Sequence, residues 1–298
     1  MNGIATYLRM IKFSHTIFAL PFAGIAFIQA LPASQLISNG VPGFAFYRML
    51  VLVIVCMVSL RSAAMGFNRL ADRNIDAVNP RTRMREIPSG ALSVSAVRSF
   101  VIISLVLFVV AAFAISTTCG LLSPIAAGLV LGYSYTKRFT WLCHFVLGTA
   151  IGQAPAATAL AMTGSIPLSA LAWSGGLALY IGGFDILYAC QDAEFDRSQK
   201  LHSIPSRFGI PTALWIARIS HILALCLFAF AAISSQTGLV FFAFLFCTGI
   251  LFLVEHALVR PNRLEKIPIA FFNVNASIST VLFAGLLVDL WIRIPFFH

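Results

Sequence analysis

Charge is what this chain has least of. Of its 298 residues, 10% are Asp, Glu, Lys or Arg and 59% are apolar, against roughly 25% charged in an ordinary soluble domain. Ten acidic and twenty basic residues are too few to cover the surface of one or two water-soluble cores, which excludes a soluble fold and makes lipid the solvent. Paired cysteines are missing too. Cys56, Cys119, Cys143, Cys190, Cys226 and Cys247 are scattered with no Cys-x-x-Cys spacing, which excludes a disulfide scaffold and leaves them as small buried hydrophobes. A signal-peptide cleavage site is absent as well: the apolar run after Lys12 has no Ala-x-Ala end, so it reads as a helix that stays.

What is present is a series of apolar stretches near the 20 or so residues that a bilayer-spanning helix needs. Nine are separated by charges or by Gly, Pro and Asn clusters: Ser14 to Leu31, Phe44 to Ser62, Val97 to Ser116, Cys119 to Tyr135, Trp141 to Met162, Leu168 to Gln191, Ile210 to Ser234, Leu239 to Val259 and Ile267 to Leu290. A tight hairpin at Thr117 to Gly120 divides the third from the fourth. The expected architecture is an all-α membrane protein, a single domain over residues 1–298 built as a nine-helix bundle, with motif loops at 63–96 and 185–209. Seventeen of the twenty basic residues fall at the N-terminus and after the even-numbered spans, so the positive-inside rule puts that side and the N-terminus in the cytoplasm and the C-terminus outside. The net charge of +10 is thereby a topological signal, and nucleic acid is not an expected partner.

The carboxylates have no such topological explanation, because acids influence orientation little and are costly near hydrocarbon. Seven of the ten lie in two stretches on the basic side. The first reads Asn68-Arg-Leu-Ala-Asp72-Arg-Asn-Ile-Asp76, followed by Glu86, and its spacing of four puts Asn68, Asp72 and Asp76 on one face if the second span continues as a helix. The second places Asp185, Tyr188, Asp192 and Asp196 at 0, 3, 7 and 11, again one face, with Glu194 nearby. Each stretch is followed by basic residues and then by Ile-Pro-Ser, at 87–89 and 204–206, a weak internal symmetry. Either stretch alone would pass for surface ion pairs. Two together on one side suit Mg²⁺, which prefers one or two carboxylates plus substrate phosphate, with neighbouring guanidinium and ammonium groups taking the remaining phosphate charge. Glu255, Glu265 and Asp289 stand alone near span ends and are read as structural.

At these residues the sequence resembles the UbiA-type superfamily of intramembrane prenyltransferases, which carry an N-D-x-x-D-x-x-x-D motif after helix 2 and a D-x-x-x-D motif after helix 6. Asn68, Asp72 and Asp76 match the first, and Asp192 and Asp196 the second; Arg69 stands where the family has an aspartate. Tyr133-Ser-Tyr-Thr-Lys137-Arg138 after the fourth span looks like the family's aromatic-plus-basic loop. The resemblance implies Mg²⁺-dependent transfer of a polyprenyl chain from its pyrophosphate to an aromatic hydroxy acid, in a bacterial inner membrane with the site on the cytoplasmic side and no obligate protein partner. It implies Asn68, Asp72, Asp76, Asp192 and Asp196 at the metal, and Arg73, Arg85, Lys137, Arg138 and Lys200 at the pyrophosphate.

The resemblance further implies that an allylic carbocation forms and that an electron-rich phenol attacks it ortho to the hydroxyl. Tyr133 and Tyr188 are candidates to stabilise the cation through their ring faces, with Phe67, Phe184 and Tyr135 flanking the motifs. Asp185, an intramembrane carboxylate, orients Tyr188 or accepts a proton. A carboxylate-bearing acceptor needs a basic group, for which Lys12, His15, Arg61 or Lys137 would serve. The Tyr-Ala-Cys-Gln-Asp segment and the Lys-Phe-Ser-His start look close to the futalosine branch of menaquinone synthesis, whose acceptor is 1,4-dihydroxy-6-naphthoate. The 4-hydroxybenzoate branch leading to ubiquinone is the alternative. A CDP-alcohol phosphotransferase is disfavoured because its D-G and A-R pairs are missing from both stretches. A transporter would carry its charges in broken central helices.

Overall fold

The computed structural model describes residues 3–11, 19–34, 36–38, 41–261, 263–267 and 274–293. Twelve α-helices are described among them: α1 (Gly3–Met10), α2 (Leu20–Ser34), α3 (Phe44–Val78), α4 (Val94–Ile115), α5 (Thr117–Thr136), α6 (Cys143–Thr163), α7 (Leu168–Ala189), α8 (Ala193–Ser198), α9 (Ile204–Phe208), α10 (Ile210–Ser234), α11 (Leu239–Leu258) and α12 (Asn275–Arg293). A two-residue antiparallel ladder, Ile37–Ser38 with Val41–Pro42, joins α2 to α3. Among the described residues eight helices are long and apolar enough to cross a membrane, and α2 is a shorter apolar helix of 15 residues. It lies in the stretch expected as the first span, whose residues 14–18 are outside the described set.

The described chain divides into two compact units, Met1–Thr16 with Tyr47–Thr136 and Ile17–Phe46 with Lys137–His298. Helix α3, which belongs to the first unit from Tyr47 onward, runs unbroken for 35 residues, about 52 Å at 1.5 Å per residue. That exceeds a hydrocarbon core of about 30 Å, so the apolar half from Phe44 is spanning length by itself and the polar half from Ser62 projects beyond it. Residues 63–78, expected in a loop, are therefore helical: Ala, Met, Leu and Arg there are good helix formers, and the helix stops at Asn79-Pro80, where the proline disfavours helical backbone before it. Met10, Ala63, Val97 and Val101 form this unit's core, and Tyr7 stacks on Phe100 at 5.1 Å.

The hairpin between α4 and α5 is tighter than Thr117 to Gly120. Ser116 alone separates the helices in extended backbone; its N–H donates to the Ala112 carbonyl, and its hydroxyl accepts from Cys119 N–H at 3.1 Å. Thr117 to Gly120 form the first turn of α5 instead.

In the second unit α7 is the central helix. Trp173, Leu177 and Tyr180 on it are completely buried with Phe22, Phe228, Phe241 and Leu282. Along its flank with α6, a Cβ on Gly148 would run into the Ala178 carbonyl, and one on Gly152 would come within 2.7 Å of the Ser174 carbonyl oxygen. Small residues four apart bring two membrane helices into backbone contact in this way. Asp289 of α12, read as solitary from sequence, accepts from Gly238 N–H at 2.7 Å and Phe241 N–H at 3.3 Å, so it caps α11 from a neighbouring helix. Glu255 is also engaged: Asn275 Nδ2 donates to it at 2.9 Å.

Candidate active site

The first motif occupies the polar end of α3. Asp72 and Asp76 are buried; Asn68 Nδ2 donates to Asp72 Oδ2 at 3.3 Å and to the Ser134 hydroxyl of α5 at 3.4 Å. The four-residue spacing thus does what a helix face requires, with oxygen-bearing side chains in successive turns. Arg85, in the turns after α3, uses Nη1 to donate to both Asp76 oxygens, at 2.8 and 2.9 Å. The sequence placed Arg85 on a pyrophosphate; its contact here is the carboxylate of the motif itself. Arg73 is exposed and donates to the Leu70 carbonyl of its own helix at 2.8 Å.

Arg69, which stands where the family resemblance leads one to expect an aspartate, has partners of its own. It is 3% exposed, donates to the Met10 carbonyl at the end of α1 at 3.4 Å and lies 3.6 Å from Glu86. A cation at a helix C-terminus meets the negative end of the dipole, so Arg69 ties α1 and the Glu86 turn to α3. Arg61, eight residues earlier, is largely buried near Tyr133, and its Nε makes no hydrogen bond among the described residues. Phe67 and Tyr135 meet edge to face, with ring centroids 5.8 Å apart.

The second motif departs from the single regular helix face expected for it. Asp185 and Tyr188 belong to α7, but Cys190–Asp192 tighten into a 3₁₀ turn before α8 begins at Ala193. Asp192 and Asp196 are half-buried. Asp196 hydrogen-bonds the Ser203 side chain and feels the charges of Asp192 and Lys137. The loop that follows is pinned by its backbone: Leu201 N–H donates to the Asp196 carbonyl at 2.8 Å, and His202 N–H to the Lys137 carbonyl at 2.7 Å. Lys200 takes left-handed backbone with φ 54°, and Arg138 is half-buried beside Lys137. Ser203 caps α9 in a reciprocal box with Ser206, whose hydroxyl accepts from Ser203 N–H at 3.0 Å.

Asp185 has a partner that sequence reasoning missed. His144, at the start of α6, places Nδ1 2.7 Å from Asp185 Oδ2. The two are 41 residues apart on different helices, and a lone histidine at the head of an apolar span carries no local sign of the contact. Ser134 and Ser203 went unnoticed for the same reason. Lys12 and His15, considered for the acceptor, lie outside the described residues.

Among the described residues no three His, Cys, Asp or Glu side chains converge into an all-protein metal cage. Hard oxygen donors in twos are nevertheless the set Mg²⁺ takes when phosphate completes its shell, and Asn68, Asp72 and Asp76 on α3 fit that pattern.

Comparison with known protein families matches residues 26–277 to the UbiA prenyltransferase family. The chain belongs to that family. As a UbiA prenyltransferase it is an integral membrane enzyme that transfers polyprenyl groups. It is 29% identical over 259 residues to the 4-hydroxybenzoate octaprenyltransferase of Vibrio atlanticus, covering 85% of this chain and 88% of that one. It is 30% identical over 247 residues to the enzyme of the same name from Citrobacter koseri, covering 82% and 84%. Its fold matches a UbiA homologue from Aeropyrum pernix K1 with a TM-score of 0.80 at 29% identity, covering 93% of this chain and 98% of that one. A UbiA homologue from Archaeoglobus fulgidus, solved with GPP and Mg²⁺, shares the fold with a TM-score of 0.67 at 19% identity over 95% and 99% of the two chains.

Proposed function

We propose that this UbiA prenyltransferase joins a polyprenyl chain to an aromatic hydroxy acid in quinone biosynthesis, with Mg²⁺ as cofactor and its site on the cytoplasmic side of a bacterial inner membrane. The observation that carries this reading is the run of Asn68, Asp72 and Asp76 on α3 with Arg85 held to Asp76 by two hydrogen bonds. Metal-type oxygens and a phosphate-type guanidinium are already side by side.

Asn68, Asp72, Asp76, Asp192 and Asp196 would hold magnesium, which when bound supplies Lewis-acid neutralisation of the leaving pyrophosphate. Arg85, Lys137, Arg138 and Lys200 take up the remaining phosphate charge, and Arg73 adds to the cationic surface around the first motif. The C1–O bond of the allylic pyrophosphate breaks with its electron pair going to oxygen. The ring carbon ortho to the acceptor hydroxyl then bonds to C1, and the proton on that carbon passes to Asp185. Tyr133 and Tyr188 present ring faces to the cation while it lasts. Arg61, with a buried Nε that makes no hydrogen bond among the described residues, receives the carboxylate of the acceptor, a task that Lys12 and His15 share on sequence grounds.

The curated relatives named as 4-hydroxybenzoate octaprenyltransferases make 4-hydroxybenzoate the first acceptor to test, and 1,4-dihydroxy-6-naphthoate the second. Purified protein in detergent, given geranyl pyrophosphate and each acid in parallel, should release pyrophosphate and form prenylated product with one of them. Chelation of Mg²⁺ should stop the release. No product with any phenolic acceptor would overturn the proposal.

A further inference from the structure

The bond between His144 and Asp185 is half of a longer connection. Ile204 N–H, the first amide of α9, donates to His144 Nε2 at 3.2 Å. An amide only donates, so Nε2 is an acceptor and carries no proton. The proton of the ring then sits on Nδ1 and is given to Asp185 Oδ2 at 2.7 Å. His144 is therefore held in one tautomer by the backbone after the second motif, and the tautomer is the one that offers a donor to the carboxylate.

The burial of the two partners is unequal. His144 is 3% exposed, whereas the Asp185 side chain is 29% exposed. The histidine is thus enclosed among α6, α7 and α9, while the aspartate keeps an open side. Its one hydrogen bond among the described residues is made through Oδ2, so one carboxylate oxygen is fixed by His144 and the other makes no hydrogen bond there. Asp185 precedes Asp192 by seven residues and lies inside α7, whereas Asp192 stands in the 3₁₀ turn beyond the end of that helix, so the carboxylate is set back along the chain from the motif.

We propose that His144 is the positioning residue for Asp185: it aims the free carboxylate oxygen at the ring proton that an aromatic acceptor loses on prenylation. This rests on the prenyl-transfer reading above. The proton given up by the alkylated ring goes to Asp185, whose second oxygen stays bonded to the His144 N–H throughout. His144 neither gains nor loses a proton and touches no substrate. Its function is to limit the carboxylate to one rotamer and one open oxygen.

The test separates the two bonds of His144. His144→Asn puts an amide N–H near the place of Nδ1 and retains the bond to Asp185. His144→Gln reaches the place of Nε2 and retains the bond to Ile204. His144→Ala loses both. With purified protein, geranyl pyrophosphate, Mg²⁺ and the better acceptor, kcat of H144A should fall by about 10²-fold, the lower end of the range for a positioned acid or base. KM for geranyl pyrophosphate should stay within about twofold of wild type. H144N should recover most of kcat and H144Q should not. H144A/D185N should be no slower than D185N, because one variant acts through the other.

Recovery by H144Q and not by H144N would mean that His144 anchors the α9 loop only, and would overturn the inference. So would full activity in H144A, or single losses that multiply in the double variant. A wild-type protein that transfers no prenyl group to any acceptor overturns the proposed function and this inference with it. Wild-type activity with H144A at full rate overturns the inference alone.

Discussion

The two motif regions share a string of letters and differ in how they are built. Each has Asp-x-x-x-Asp, then basic residues, then Ile-Pro-Ser. In the first, the aspartates lie on an unbroken helix, and Asp76 is neutralised by a guanidinium through two hydrogen bonds. In the second the helix tightens to 3₁₀ between the tyrosine and the second aspartate, and Asp196 is held by a neutral hydroxyl. The tripeptides diverge as well. Ile87-Pro88-Ser89 sits in a turn that Gly90 closes with φ 77°, whereas Ile204-Pro205-Ser206 opens helix α9. The difference is in the flanks: Ser203 supplies an N-cap where the first region has Glu86, which is turned to Arg69 instead. Local structure here is decided by the residue before the repeat and the residue after it.

This contrast is most directly tested at the aspartates. Asp72→Asn and Asp192→Asn should each lower prenyl transfer by about 10²–10³-fold, the scale for losing one preorganised charge-stabilising group, with the variants still folded by size-exclusion chromatography in detergent. Wild-type turnover in both would sink the metal assignment, and a large loss in one only would give the two regions unequal parts in catalysis.

The next effect is on stability. Arg85→Ala leaves Asp76 buried without its cation and should cost up to about 3 kcal/mol, the lower end for breaking a buried pair because Arg85 is 22% exposed. Arg197→Ala in the second region removes only two 3.4 Å contacts from an exposed side chain to the Ser206 carbonyl and should leave the thermal midpoint in detergent unchanged. Equal midpoints for the two variants would contradict the distinction between charge-held and hydroxyl-held carboxylates.

The smallest effect is at the serines. Ser203→Ala removes a helix cap and should cost about 1 kcal/mol, read as a lower thermal midpoint and faster hydrogen exchange over α9. Ser89→Ala, whose hydroxyl makes a single 3.5 Å contact to the Glu86 carbonyl, should be neutral in the same measurements.

The membrane class and both motifs are plain in the sequence, because both depend on patterns within one helix. Scarcity of charge makes the apolar runs visible, and a spacing of four is enough to put Asn68, Asp72 and Asp76 on one helical face. What escapes are the contacts made across helices. Arg69 reads as a lost ligand; its partners are the Met10 carbonyl and Glu86, 59 and 17 positions away in the chain. Asp289 reads as solitary, yet its partners are amides about 50 positions earlier. The length of α3 is underestimated for another reason: hydropathy marks where lipid ends, and a helix of good formers continues beyond that point. The 3₁₀ turn at Cys190–Asp192 has no composition signature that would set it apart from regular helix.

Gly148 and Gly152 give the His144–Asp185 bond a property that neither residue has alone. His144, Gly148 and Gly152 succeed one another every four residues on the side of α6 that meets α7. At the far end of the same seam Ala156 N–H donates to the Ser174 hydroxyl at 3.0 Å. The gap between the two helices is accordingly set by main chain against main chain, where no rotamer is available to absorb error. A side chain added at either glycine would widen that gap and, on the reading proposed above, register as a catalytic defect. On that reading the glycines act as a gauge block for the dyad, so a redesign of the α6–α7 seam has to keep them.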